Sequence, residues 1–102
     1  MIISLLEKKK VKERDAVTDL AIDVINLITI VNRIEEKNLN APFRCFKLIF
    51  EDSSGKHTIR YEDTFEESKS AVIHQLNKIL KYPQNYDDVN VFVTTIGELK
   101  FD

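Results

Sequence analysis

Few side chains in this sequence are suited to covalent or metal chemistry. Cys45 is the one cysteine, and His57 and His74 are the two histidines. A cysteine nucleophile needs a histidine within hydrogen-bond reach to take its proton. Cys45 lies near the start of an expected strand and His57 beside the turn that ends it. Five or more residues then separate them along the ladder, roughly 17 Å at 3.3 Å per residue. His74 falls on an expected helix among polar neighbours. These residues read as a small half-buried cysteine and two surface histidines, and no catalytic residue is expected.

Metal and cofactor sites are equally poorly supplied. One cysteine excludes an intramolecular disulfide and a cysteine-rich zinc site. The histidines stand seventeen positions apart, without the spacing of a zinc pair. Asp19 and Asp23 share a helix face at i, i+4 and could join a hard-cation site. Far more often such a pair keeps the solvent side of a helix wet. Two isolated glycines cannot form a phosphate-cradling loop. No metal or other cofactor is expected.

Two charged groups remain. Glu62, Asp63, Glu66 and Glu67 gather at an expected helix start, where carboxylates compensate the helix dipole. The same cluster could mimic nucleic-acid phosphates for a basic partner. Lys8, Lys9, Lys10, Lys12 and Arg14 form the only concentrated positive charge, diluted by Glu7 and Glu13. No aromatic residue is interleaved there for base stacking. The chain carries 15 Lys/Arg against 17 Asp/Glu, a net charge of −2. Residues 1–50 hold nine Lys/Arg and seven acids; residues 51–102 hold six and ten. A binder of nucleic-acid phosphates normally carries a basic surplus, so a nucleic-acid partner is disfavoured.

The elements that position these groups follow from periodicity. Val17, Leu20, Val24, Leu27, Val31 and Ile34 recur at alternating steps of three and four, which predicts an amphipathic helix over Ala16–Ile34. Ala21, Ile25 and Ile28 widen the stripe, and Ile22 and Ile30 add apolar surface on the opposite side. The strong pattern starts near Asp15, and the helix is expected to end around Lys37–Asn40, before Pro42. Residues 1–6, MIISLL, read either as a short strand or as a frayed helical turn.

Phe43–Glu51 and His57–Glu62 flank a DSSGK turn and read as a β-hairpin. A Ser54–Gly55 loop would set Phe50 opposite Ile59, Leu48 opposite Tyr61 and Lys47 opposite Glu62. A four-residue loop keeps the same apolar face but sets Lys47 opposite Arg60. Like charges directly opposite are unfavourable, so the first register is preferred. Thr64-Phe-Glu-Glu67 matches a capping box and starts a second helix with the stripe Phe65, Val72, Ile73, Leu76, Ile79 and Leu80. Tyr82-Pro83 closes that helix. Val89–Ile96 reads as a strand with apolar residues on both faces, placed inside the sheet, and Gly97-Glu98 as a turn before Leu99–Phe101.

These elements compose a single α+β domain over residues 1–102. Its expected form is two layers, with a three- to four-stranded, mainly antiparallel sheet and two helices on one face, in the order α-β-β-α-β. If MIISLL pairs as a strand, the order becomes β-α-β-β-α-β, the split arrangement of ferredoxin-like folds. No stretch is long and apolar enough for a signal-peptide core or a membrane span, so a cytoplasmic protein, bacterial or phage-encoded, is expected.

The first helix carries more apolar surface than one sheet face covers. Val17, Leu20, Ile22, Val24, Leu27, Ile30, Val31 and Ile34 are therefore the candidate interface, for a protein partner or a second copy of the chain. Missing chemistry and surplus apolar surface together point to a non-enzymatic interaction module, such as an adaptor, inhibitor or immunity-type protein. Rival readings are a nucleic-acid-associated protein using Lys8–Arg14 and a small enzyme on a ferredoxin-like sheet.

Overall fold

The computed structural model describes the backbone of residues 13–96 and side chains from Ala16 onward. Helix α1 spans Glu13–Arg33 and α2 spans Phe65–Lys81; strands β1, β2 and β3 span Phe43–Asp52, Gly55–Tyr61 and Tyr86–Thr95. The order is α-β-β-α-β, as the periodicities predict. Two short 3-10 turns, Glu36–Asn38 and Pro83–Asn85, follow the helices. The expected strand at residues 1–6 and the turn from Gly97 lie outside the described residues.

The three strands form one antiparallel sheet in the order β2-β1-β3. β2, α2 and β3 therefore make a split β-α-β unit, with β1 between the two parallel strands. The central place belongs to β1. Among the described residues β3 pairs with β1 alone, and a place for Val89–Ile96 inside the sheet would need a neighbour from outside them. Burial alternates along β3: Val89, Val91, Val93 and Thr95 are buried, whereas Asn90, Phe92 and Thr94 are only half-buried. One face of this strand meets the core. The apolar residue on its other face, Phe92, lies beneath the Lys47 ammonium, 5.4 Å from the ring centroid.

Both helices cover the face bearing Phe46, Leu48, Val89, Val91 and Val93. Leu20, Val24, Leu27 and Val31 enter that core from α1, and Phe65, Val72, Leu76 and Ile79 from α2. Phe43, Phe46 and Phe65 meet as an aromatic trio with centroids 5.2–5.6 Å apart in tilted and edge-on geometries, as ring quadrupoles favour. Ile73 and Leu80 pack at the margin.

The hairpin adopts the register rejected above. Lys47 stands opposite Arg60, Leu48 opposite Ile59 and Phe50 opposite His57, with Asp52 and Gly55 as the last pair before a Ser53–Ser54 loop. Both registers keep the same apolar face, so the turn decides. Asp52 Oδ1 accepts from the Ser54 backbone N–H at 2.9 Å, an Asx-type closure, and Gly55 takes φ +116°, a conformation only glycine adopts without strain. The like charges part sideways: Lys47 moves over Phe92, while Arg60 Nε donates to Glu62 Oε2 at 2.8 Å.

α1 ends at Arg33, not at Lys37–Asn40. Ile34 N still donates to Val31 O at 3.2 Å, and Glu35 is extended at φ −123°, ψ 139°. The cause comes from the other helix. Lys69 Nζ donates to Asn32 O at 3.0 Å and to Ile34 O at 2.8 Å, filling carbonyls that a helix end leaves orphaned.

Candidate functional site

The candidate interface on α1 divides into two populations. Leu20, Val24, Leu27 and Val31 are 0–3% exposed and belong to this chain's own core. Ile30 and Ile34 are half-buried and pack against it. These six residues lie on the side of α1, and of the turn just after it, that packs on the core, which corrects the expected placement of Ile30 on the opposite side. The remaining two face outward, Val17 at 39% exposure and Ile22 at 49%, and beside them lies Ile25 at 50%, which is not among the candidates.

Ile22 and Ile25 lie three residues apart, about 60° around the helix at 100° per residue. Thr18 and Thr29 are exposed on the same side. Thr29 Oγ1 donates to Ile25 O at 3.0 Å, turning its hydroxyl back onto the helix and leaving its methyl group as the outward surface. The outward side of α1 therefore carries two branched side chains half in water above a closed core. Ile25, which entered the sequence reading only as a widening of the stripe, is the most exposed isoleucine of the three at 50%, alongside Ile22 at 49% and Ile96 at 45%.

The acidic cluster is split by its hydrogen bonds. Thr64 Oγ1 caps α2 by accepting from Glu67 N at 3.2 Å, and Asp63 N donates to Ser68 Oγ at 3.1 Å. Glu62 accepts from Arg60 Nε, and this hydrogen bond makes the Arg60 guanidinium hold its own proton more tightly than usual. All four acids, Glu62, Asp63, Glu66 and Glu67, are exposed. Lys69 fastens the end of α1 to the start of α2, so the exposed Glu35 and Glu36 lie toward the same end of the molecule, beyond what sequence neighbours revealed. Of the basic segment, Lys8, Lys9, Lys10 and Lys12 lie outside the described residues; Arg14 lies in the first turn of α1.

Cys45 is fully buried beside the β1–β3 ladder, opposite Thr94, and His74 is exposed on α2. His57 does not behave as an isolated surface residue. Its Nε2 lies 3.0 Å from Asp52 Oδ1 and 3.0 Å from Ser54 Oγ, and its ring stacks on Phe50 at 5.0 Å. Ser54 Oγ itself donates to Asp52 Oδ1 at 2.7 Å. Sequence reasoning missed this group because it follows from the register: pairing Phe50 with His57 makes Asp52 and His57 diagonal neighbours on one face. The available signal was the D-S-S-G turn, with Asp at its first position and Gly at its fourth.

Serine, histidine and aspartate here do not form a nucleophilic relay. A relay uses both ring nitrogens, one toward serine and one toward the carboxylate. In this triangle Nε2 faces both partners. The Ser54 hydroxyl proton points to Asp52, so Nε2 must carry a hydrogen to avoid facing the carboxylate with its lone pair. A protonated Nε2 cannot act as the base for Ser54.

The open face of the sheet bears a shallow depression of about 210 Å³ bordered by Ile49, Glu51, Lys56, Asp88, Asn90 and Phe92. Small-molecule clefts usually enclose ~300–1,000 Å³. Among the described residues no three metal-ligating side chains come together, and no helix is long and apolar enough to cross a membrane. Comparison with family models, curated proteins and solved structures finds no match to this chain.

Proposed function

We propose that this chain is a non-enzymatic protein-interaction module that acts by stoichiometric binding through the outward side of α1. The observation that supports the reading is the half exposure of Ile22 and Ile25, at 49% and 50%, on a helix whose core contacts are already complete. Single exposed apolar residues are ordinary on protein surfaces. Here two stand together on one turn, with the exposed Thr18 and Thr29 on either side, and burying both isoleucines against a partner would remove their contact with water. The arrangement fits an i, i+3 pair of anchors for a helix or groove on another chain. Cytoplasmic action as an adaptor, inhibitor or immunity-type partner, of bacterial or phage origin, belongs to the same proposal.

The test compares the native chain with Ile22→Lys/Ile25→Lys. Light scattering across micromolar concentrations reads self-association, and a photo-crosslinker at position 18, on the same side of α1, or at position 74 in the native host reads other partners. The double variant should keep its circular dichroism and lose the particle or adduct, while position 74 captures nothing. An unchanged association in the double variant, or a solitary chain without adduct in every condition, removes the reading.

A further inference from the structure

The hairpin tip contains a titratable group whose geometry exceeds what a turn needs. Asp52 Oδ1 receives three donors: Ser54 N at 2.9 Å, Ser54 Oγ at 2.7 Å and His57 Nε2 at 3.0 Å. The His57 ring is held flat against Phe50, with centroids 5.0 Å apart and planes at 28°. Phe50 in turn meets Tyr86, the first residue of β3, edge-on at 5.6 Å. The tip of one hairpin is thereby tied through two rings to the start of the third strand.

We propose that Asp52, Ser54 and His57 form a proton-tightened clasp, which closes the hairpin tip onto Phe50 and Tyr86 more firmly when His57 is doubly protonated. The chemistry follows from which nitrogen is engaged. Nε2 already carries a hydrogen directed at the carboxylate, so the second proton enters at Nδ1. Nothing in the triangle rearranges. A neutral donor becomes a cation beside the same carboxylate oxygen, and a charge-assisted hydrogen bond is the stronger one. The ring's positive charge also lies over the Phe50 face, where the aromatic quadrupole favours it.

The groups around the imidazole support this direction. β1 contributes Asp52, whose carboxyl is held below its ordinary range mainly by the Ser54 hydroxyl and backbone donors and further by His57. β3 contributes the Tyr86 phenol beyond Phe50 and the exposed Asp87 at the bulge beside Asp52. On β2 the neighbouring Lys56 stands opposite Glu51. Among the described residues Lys56 thus faces an acid of its own, and Asp52 is the carboxylate in contact with the imidazole.

The experiment is amide hydrogen exchange by NMR on the full chain from pH 8 to pH 5.5, the range in which histidine changes charge. After correction for intrinsic exchange, protection of the Ser54, Gly55 and Lys56 amides should rise about two- to fivefold on acidification, the scale of an exposed ion pair. His57→Gln keeps a neutral donor and should abolish the rise, as should Asp52→Asn. A flat profile in the native chain, or the same rise in both variants, overturns the clasp. Nitrogen-15 shifts of the native His57 ring provide a check that needs no variant. Nε2 should stay protonated throughout while Nδ1 gains the proton, with exposed His74 as the internal comparison. A neutral form protonated at Nδ1 overturns the proposal.

Discussion

The two helices solve the same burial problem with different degrees of self-sufficiency. α2 carries its own start signal in Thr64, its own stop at Tyr82-Pro83, and a one-sided stripe from which Phe65, Val72, Leu76 and Ile79 enter the core. α1 carries apolar side chains on both sides, and its end is set by Lys69 reaching over from α2. A helix with local caps has limits that can be read locally. One terminated by a distant side chain does not, and among the described residues nothing covers its exposed Ile22 and Ile25. That contrast is why α1 is the helix proposed to bind.

The largest expected effect tests which part of α1 is core. Val24→Asp buries a carboxylate at a position with 0% exposure, and the variant should be unfolded by circular dichroism at 25 °C. A folded, soluble Val24→Asp chain would transfer that stripe from the core to the interface and erase the division drawn here.

Next come the caps. Thr64→Ala should cost about 1 kcal/mol in urea unfolding and increase exchange in the first turn of α2. Lys69→Met should cost about 0.5–1 kcal/mol, because the Asn32 and Ile34 carbonyls lie near solvent and water can replace the ammonium. Its exchange should rise at the end of α1, thirty-five or more residues away in sequence. Fraying of α2 alone in Lys69→Met would contradict the cross-helix cap.

A smaller effect follows acidification. The Asp52 carboxyl is lowered from 3.8, first by the Ser54 hydroxyl. A group depressed in the folded state adds stability above its unfolded value, and that contribution disappears as pH falls through the folded one. Native stability should therefore decline below about pH 4 more steeply than that of Asp52→Asn, read as thermal midpoint against pH. Parallel declines would leave the turn without a carboxylate-dependent part. The smallest expected change is Ile25→Lys, within about 0.5 kcal/mol of the native chain. A loss above about 2 kcal/mol would mean that Ile25 is packed in a way its 50% exposure does not show.

Much of the architecture was legible before folding was considered. The 3.6-residue stripes and the Thr64 cap mark both helices, and the branched and aromatic runs mark all three strands. Together they define one apolar face each for α2 and the hairpin. These signals are local and repeated, so many residues agree on each. The candidate interface was legible only as a surplus. Eight residues of the Ala16–Ile34 stretch were candidates, and although periodicity set Ile22 opposite Val24, it could not say which of the eight the rest of the chain would cover, because exposure depends on where α2 and β3 lie.

Tertiary structure decided the features on which local preferences nearly balance. The hairpin register turned on one pair of like charges against one aspartate and one glycine. Phe92 and Glu62 removed the charge penalty from outside the pair. The end of α1 is capped by Lys69, a partner that reaches it only once the two helices have packed. The central place of β1 depended on which strand β3 would find after a helix of seventeen residues. The sequence by itself determined what each segment is and which of its faces avoids water, since those terms accumulate along a segment. Which neighbour each face meets, and which isoleucines stay outside, are settled by small differences between long-range contacts that exist only after the chain has closed.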